Sequence, residues 1–135
     1  MPDVRRALGA GPASGTTQVT LFIPSLDRDG QPVDQVAWRD EALAVLGRLF
    51  RGATAFPPGR GVWRDDDCAG KLLYEDIVLV TSYVPTRALT NATLADLRAF
   101  LHRLGRETRQ GEVGVVVGDK YPAINDYDAP ASPSR

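Results

Sequence analysis

A long β-hairpin over residues 52–84 constrains the fold more than any other stretch of this sequence. It reads GATAFPPGRGVWRDDDCAGKLLYEDIVLVTSYV, with an acidic, glycine-containing turn between two apolar strand patterns. Residues 77–80 are apolar on both faces, which indicates a central strand covered on both sides. The first arm contains Pro57 and Pro58. Because proline donates no hydrogen bond to a ladder, this arm is predicted to lie at an edge.

Helix and strand patterns flank the hairpin on both sides. In Thr16–Ile23, side chains alternate between the two faces as in a strand. Residues 112–118 form the valine-rich last strand. Residues 34–51 and 90–110 carry apolar residues at three- and four-residue spacing, which is typical of helices. Asp34 is predicted to be the N-cap of the first helix. The order strand, helix, strand, strand, helix, strand predicts a ferredoxin-like α+β fold. It has a four-stranded antiparallel sheet, two helices on one face and a long hairpin between the second and third strands.

The two ends of the chain are predicted to lie outside this single domain, which covers residues 16–124. Residues 1–15 are rich in Gly, Ala, Pro and Ser, and residues 125–135 are polar with two prolines, so both are predicted to be flexible. No apolar run approaches the ~18 residues of a membrane span. The N-terminus lacks the apolar region of a secretory signal, so a cytoplasmic location is expected.

Composition excludes several classes of chemistry. The net charge is −1, so there is no basic field and nucleic acid is not favoured as a partner. Cys68 is the only cysteine, and the aspartates around it predict a weak nucleophile. His102 is the only histidine and is predicted on the solvent face of the second helix. A disulfide within the chain, a Cys-based zinc site and a Ser-His-Asp triad are therefore not expected from one chain, and no cofactor is predicted.

The sheet face opposite the helices is predicted to be apolar. A monomer seldom leaves such a face in water, so a second copy, another protein, the chain's own tails or a ligand should cover it. The leading interpretation is a non-enzymatic association module, a homodimer or an accessory subunit of a bacterial complex, that uses this face and the sheet edge. The face carries Thr20, Phe22 and Val116, with either Val78, Val80 and Val84 or Ile77, Leu79 and Tyr83.

Two clusters are candidates for chemistry. The acidic turn offers oxygen ligands for Mg²⁺, although consecutive aspartates in a turn are more often solvated. Arg60, Trp63 and Arg64 could bind an anionic, aromatic ligand, because arginine binds carboxylate or phosphate and tryptophan stacks on rings. Alternatively, Trp63 packs across the hairpin. The metal candidates are Asp27, Asp65, Asp66 and Asp67, with Glu75 and Asp76 nearby, and the ligand or partner candidates are Arg60, Trp63, Arg64, Phe22 and Val116.

The stretch LFRGATAFPPGRGVW, followed by an acidic turn and an apolar strand, resembles a family of small bacterial proteins of uncharacterised function. The resemblance covers residues 16–118 and implies a ferredoxin-like fold, with no activity or catalytic residues. Analogy at the level of the fold suggests two enzymes as alternatives. One is a cofactor-independent monooxygenase with an apolar small-molecule site formed at a dimer. The other is a Mg²⁺-dependent nuclease that uses Asp27 and the acidic turn.

Overall fold

The computed structural model describes residues 1–11 and 15–130. Residues 12–14 and 131–135, which belong to the predicted arm and tail, lie outside that description. No helix among the described residues is long and apolar enough to cross a membrane. The elements in chain order are α1 (Val4–Leu8), β1 (Thr16–Ile23), α2 (Gln35–Phe50), β2 (Thr54–Ala55), β3 (Gly59–Asp65), β4 (Lys71–Pro85), α3 (Asn91–Glu107), β5 (Val113–Val117) and β6 (Ala123–Ile124).

The strands form an antiparallel sheet in the order β2-β4-β1-β5-β6, and β3 pairs with β4 outside that path. The fold is therefore mixed α and β, as predicted, but the described residues form six strands and three α-helices rather than four and two. The predicted first arm of the hairpin breaks at Pro57 and Pro58 into β2 and β3, because prolines cannot continue the ladder. A short β6 also pairs with β5, and α1 forms within the predicted arm.

Strand β4 is long and pairs with three strands, with β2 opposite Val80 and Thr81. Its C-terminal half pairs with β1 over eight residues, from Thr16 opposite Pro85 to Ile23 opposite Val78. Its N-terminal half pairs with β3, from Gly59 opposite Ile77 onward. Glu75 thus lies on β4 beyond the end of β1, where the chain turns away from the sheet.

The hydrophobic core lies between one face of the sheet and the two long helices. On β1, Val19, Leu21 and Ile23 are fully buried. Since directly paired residues share a face, Val78 and Val80 belong to the core as well. The opposite face therefore carries the second of the two predicted sets, which consists of Ile77, Leu79 and Tyr83.

Local hydrogen bonds explain where the long helices begin. The carboxylate of Asp34 accepts from the amide of Ala37 at 3.1 Å, as its predicted role as N-cap requires. At the start of α3, the hydroxyls of Thr90 and Thr93 form a reciprocal capping box. These caps fix the helices at the point where the apolar stripes of the sequence begin.

The segment after β6, predicted as a flexible tail, contacts α3 as far as Asp128. The ring of Tyr127 lies against Gly105, where an added Cβ would be 2.2 Å from a ring carbon. The amide of Asp128 donates to Nδ1 of His102 at 2.8 Å, and its carboxylate accepts two hydrogen bonds from Arg98. His102 was predicted on the solvent side of α3, but this segment covers it and leaves it 6% exposed.

Candidate functional site

A groove of about 950 Å³ lies beside the sheet face that the helices leave open. The β3–β4 hairpin, the loop after β1 and the start of β5 supply its walls. The apolar part of the open face, formed by Phe22, Ile77 and Leu79, contributes to the same groove. Its volume falls within the range of about 300–1,000 Å³ that is typical of small-molecule sites.

Glu75 is the buried carboxylate of this groove, with 5% of its surface exposed. Pro24 ends β1, so the next amides have no ladder partner. The amides of Ser25 and Leu26 instead donate to Oε2 of Glu75 at 2.7 and 2.8 Å. Within residues 1–11 and 15–130, every hydrogen bond to this carboxylate is made to Oε2. The carboxylate is therefore fixed through one oxygen, and Oε1 remains available to a ligand.

Two glycines of β3 keep the groove open next to Glu75. Gly61 pairs with Glu75 and Gly59 pairs with Ile77, so side chains at these positions would stand on the groove face. A Cβ added to Gly61 would lie 3.4 Å from the Ile77 side chain, and one added to Gly59 would meet no atom within 4 Å. Neither glycine has a positive φ. Neither the backbone nor a steric clash requires glycine at these positions, and the missing side chains leave room in the groove.

Aromatic rings form two parts of the groove wall. The ring of Tyr121 lies edge-on to the ring of Phe22, with 5.9 Å between centroids and 78° between planes. Trp63 stands on the hairpin opposite Leu73 and is 45% exposed. Burial, and then the negative charge of Glu112, raises the pKa of the Tyr121 phenol, so this group is a neutral phenol at neutral pH.

The groove is acidic overall. Six acidic residues and three arginines are among the residues that line it. Two of the three guanidinium groups are paired, Arg60 with Asp76 and Arg64 with Asp66. The potential of the groove therefore favours a cationic ligand over an anion. The carboxylates belong to Asp27, Asp65, Asp66, Asp67, Glu75 and Glu112.

The predicted cluster of Arg60, Trp63 and Arg64 is divided between two faces of the hairpin. Arg60 and Arg64 alternate with Trp63 along β3, and the Arg60 guanidinium lies 5.4 Å from the centre of the Tyr74 ring. Trp63 stands on the same face as Gly61 and therefore on the groove side. The structure thus assigns tryptophan to the groove wall and the two arginines to the rim.

The acidic residues predicted as metal candidates make local contacts. One carboxylate oxygen of Asp27 accepts from the amides of Asp29 and Gln31, at 2.8 and 2.9 Å. The hydrogen bond from Gln31 is the main cause of a lowered Asp27 pKa. Asp65 accepts from the amide of Asp67 at 3.1 Å. In the part of the chain that the structure describes, no three His, Cys, Asp or Glu side chains are grouped as a metal site would require.

Two further residues from the sequence lie apart from the groove floor. Val116 is half-buried on the open face of β5, outside the groove lining. Cys68 is exposed in the hairpin turn, where a hydrogen bond to Asp65 and the charge of that carboxylate raise the pKa of its thiol. A raised pKa leaves little thiolate at neutral pH, so this cysteine is a weak nucleophile, as predicted.

The sequence pattern contained a signal for Glu75 that its neighbours obscured. Glu75 had been grouped with the acidic turn as a solvated carboxylate. It alternates with Leu73, Ile77 and Leu79 on one face of the strand, and an isolated acid on an apolar face is uncommon. No comparable pattern marks Tyr121, because a turn carries no periodicity.

No protein-family model and no curated protein matches the chain. Among solved structures, a phage SAM lyase in complex with S-methyl-5′-thioadenosine is similar at a TM-score of 0.64 and 16% identity, over 86% of this chain and 94% of that chain. A phage SAM lyase in the apo state is similar at a TM-score of 0.60 and 15% identity, over 89% and 98% of the two chains. At these identities the likeness shows the fold.

The prediction of a non-enzymatic association module is wrong on this comparison. The two solved chains that share the fold over most of their length are lyases, which are enzymes. Neither of them is a monooxygenase or a nuclease, so the two enzyme alternatives gain no support. The error arose because the open face was interpreted as a surface to be covered, whereas part of it is the wall of a groove.

Proposed function

We propose that this chain is an enzyme that binds S-adenosylmethionine (SAM) in the groove and cleaves it as a lyase. The observation that carries the proposal is Glu75, a buried carboxylate fixed through one oxygen inside an acidic, aromatic-walled groove. The fold shared with two phage SAM lyase structures supports it.

The positive charges and the planar ring of SAM have counterparts in the groove. The sulfonium and ammonium groups are cations, which the excess of carboxylates attracts. Aromatic faces attract cations and stack on planar rings, and the groove contains Phe22, Trp63 and Tyr121. The groove volume of about 950 Å³ accommodates a ligand of this size with solvent to spare.

The reaction needs no co-reactant. When the bond between sulfur and the γ-carbon of the methionine part breaks, its electron pair stays on sulfur, and neutral S-methyl-5′-thioadenosine leaves. The carboxylate of the substrate itself can attack that carbon and close a five-membered lactone, so atoms and charge balance. Sulfur loses its charge in this step, whereas the ammonium group keeps its charge. An attraction to the sulfonium would weaken in this step, whereas an attraction between Glu75 and the ammonium group is equal in the ground and transition states and therefore raises kcat/KM.

The test is product formation from SAM by the purified chain. We expect S-methyl-5′-thioadenosine, measured by liquid chromatography and mass spectrometry, to accumulate in proportion to enzyme. Glu75→Gln should lower kcat/KM by roughly 10- to 100-fold, the effect of losing one charged hydrogen bond. Asp76→Asn is the matched control, since Asp76 is the neighbouring acid on β4 and pairs with Arg60 outside the groove. Absence of product, or full activity of the Glu75→Gln variant, would refute the proposal.

We also infer that the centre of the fold is ferredoxin-like. If β2 and β3 are counted as one broken arm, and α1 and β6 are set aside, the chain order is βαββαβ. The sheet order β2-β4-β1-β5 and the single core between the sheet and α2 and α3 support this inference. An experimental structure in which α2 and α3 cover opposite faces of the sheet would contradict it.

Self-association remains a prediction. The outer side of the hairpin exposes Val62, Leu72 and Tyr74, each by about half of its surface. Such apolar residues on a projecting element favour a protein partner, and a second copy is always present. Light scattering tests this, because a mass near 14.6 kDa at micromolar concentration would show a monomer.

A further inference from the structure

We infer that Tyr121 and Phe22 form the subsite for the adenine ring, and that Gly114 makes this subsite possible. The inference rests on the proposed function, which supplies an adenine-containing substrate. It extends that function by assigning the ring to one end of the groove and by naming the residue that determines whether the ring can bind there.

The position of Tyr121 depends on the absence of a side chain at residue 114. A Cβ added to Gly114 would lie 1.9 Å from the Tyr121 hydroxyl and 2.3 Å from the adjacent ring carbon. Gly114 does not have a positive φ, so the backbone does not require glycine at this point of β5. Glycine is required because the tyrosine ring occupies the space that any other side chain would take.

The two rings form a corner suited to a planar base. The plane of Tyr121 is nearly perpendicular to that of Phe22, and both rings line the groove. Tyr121 remains 59% exposed although its ring covers Gly114, so its other face is open to solvent. A purine can stack on one ring and place its edge against the other, which are the two geometries that aromatic pairs prefer.

Glu112 can select adenine among the purines. Its carboxylate lines the groove and is near enough to Tyr121 for its charge to raise the pKa of the phenol. The amino group of adenine donates hydrogen bonds, which a carboxylate accepts. Hypoxanthine has a carbonyl oxygen at that position and its only nearby donor is the ring N1–H. If the carboxylate accepts from position 6, adenosine binds more tightly than inosine.

Adenosine is a suitable probe because it has neither the sulfonium nor the ammonium group of SAM. We expect calorimetric titration to show adenosine binding to the wild-type chain. Tyr121→Ala should bind it roughly 10- to 100-fold more weakly, as for loss of one stacked base. Gly114→Ala should show a similar loss, because the added methyl group displaces the Tyr121 ring. Gly47→Ala is the matched control, since a Cβ at this position on α2 meets no atom within 4 Å.

The outcomes separate this inference from the proposed function. If Gly114→Ala lowers the melting temperature markedly, Tyr121→Ala still tests the subsite, since it creates no clash. The subsite is overturned if the wild type does not bind adenosine, or if Tyr121→Ala binds it like the wild type. Assays of SAM cleavage on the same preparations decide the proposed function independently. Adenosine binding that depends on Tyr121, without any cleavage of SAM, would uphold the subsite and reject the lyase.

Discussion

Replacing Glu75 in two different ways separates its structural contribution from its chemical one. Glu75→Ala removes the acceptor for the amides of Ser25 and Leu26, at 2.7 and 2.8 Å. Hydrogen bonds to a charged group contribute about 1.5–3 kcal/mol each, so the variant should lose about 3–5 kcal/mol of unfolding free energy. For a domain of this size the melting temperature should fall by roughly 10–15 °C.

Glu75→Gln keeps an oxygen acceptor at the same place and removes only the charge. Its cost should be about 1 kcal/mol, the value for a neutral hydrogen bond, and its melting temperature should fall by only a few degrees. Both variants should nevertheless cleave SAM with a kcat/KM roughly 10- to 100-fold lower, because neither carries the negative charge that attracts the ammonium group. Urea unfolding followed by circular dichroism measures stability, and release of S-methyl-5′-thioadenosine measures activity.

Two results would refute this reasoning about Glu75. Equal stability of the Ala and Gln variants would show that the amides of Ser25 and Leu26 do not depend on this acceptor. Wild-type cleavage by a stable Gln variant would show that the negative charge is not needed. Because stability and cleavage are measured separately, loss of folding cannot be mistaken for loss of chemistry.

Three further perturbations test other parts of the structure. Gly61→Leu fills the groove and should reduce kcat/KM for SAM cleavage at least about tenfold. Its circular dichroism spectrum should stay unchanged, which shows that the variant folds. An unchanged kcat/KM would place the substrate elsewhere. Asp65→Asn weakens the hydrogen bond that is the main cause of the raised Cys68 pKa and removes the negative charge that adds to it. This thiol should therefore react faster with a disulfide reagent at pH 8, and an unchanged rate would contradict the contact. Arg98 lowers the Asp128 pKa, so the contact persists above the ordinary carboxyl pKa and is lost as pH falls through the lower value. The NMR shift of the Asp128 carboxyl carbon should therefore change only below about pH 4, and a change of that carbon near pH 6 would contradict this.

The main elements could be predicted from the sequence because each has a periodic pattern and a defined end. Strand β1 has the predicted bounds, since alternation begins at Thr16 and Pro24 stops the ladder. Helix α2 begins after Asp34, which caps it as predicted. The break in the first hairpin arm could be predicted for the same reason, because two adjacent prolines have a known effect on any strand.

The candidate site could not be predicted to the same extent, since it depends on contacts between distant residues. Glu75 acquires its role from amides 49 and 50 residues away, and nothing in its own neighbourhood indicates them. Tyr121 covers Gly114 because of the way a short turn folds, which sequence alternation does not encode. His102 is buried by a segment whose composition is typical of a flexible tail.

Strand β4 contributes to the core and to the groove by simple alternation. Val78 and Val80 face the helices, while Glu75, Ile77 and Leu79 face the groove. Core packing therefore constrains the even-numbered positions from Val78 onward, and the shape and charge of the groove constrain the odd-numbered ones. The lining of the groove can change through the odd-numbered positions while the even-numbered positions preserve the core. A protein built in this way can retain its shape among relatives long after its sequence has ceased to be recognisable.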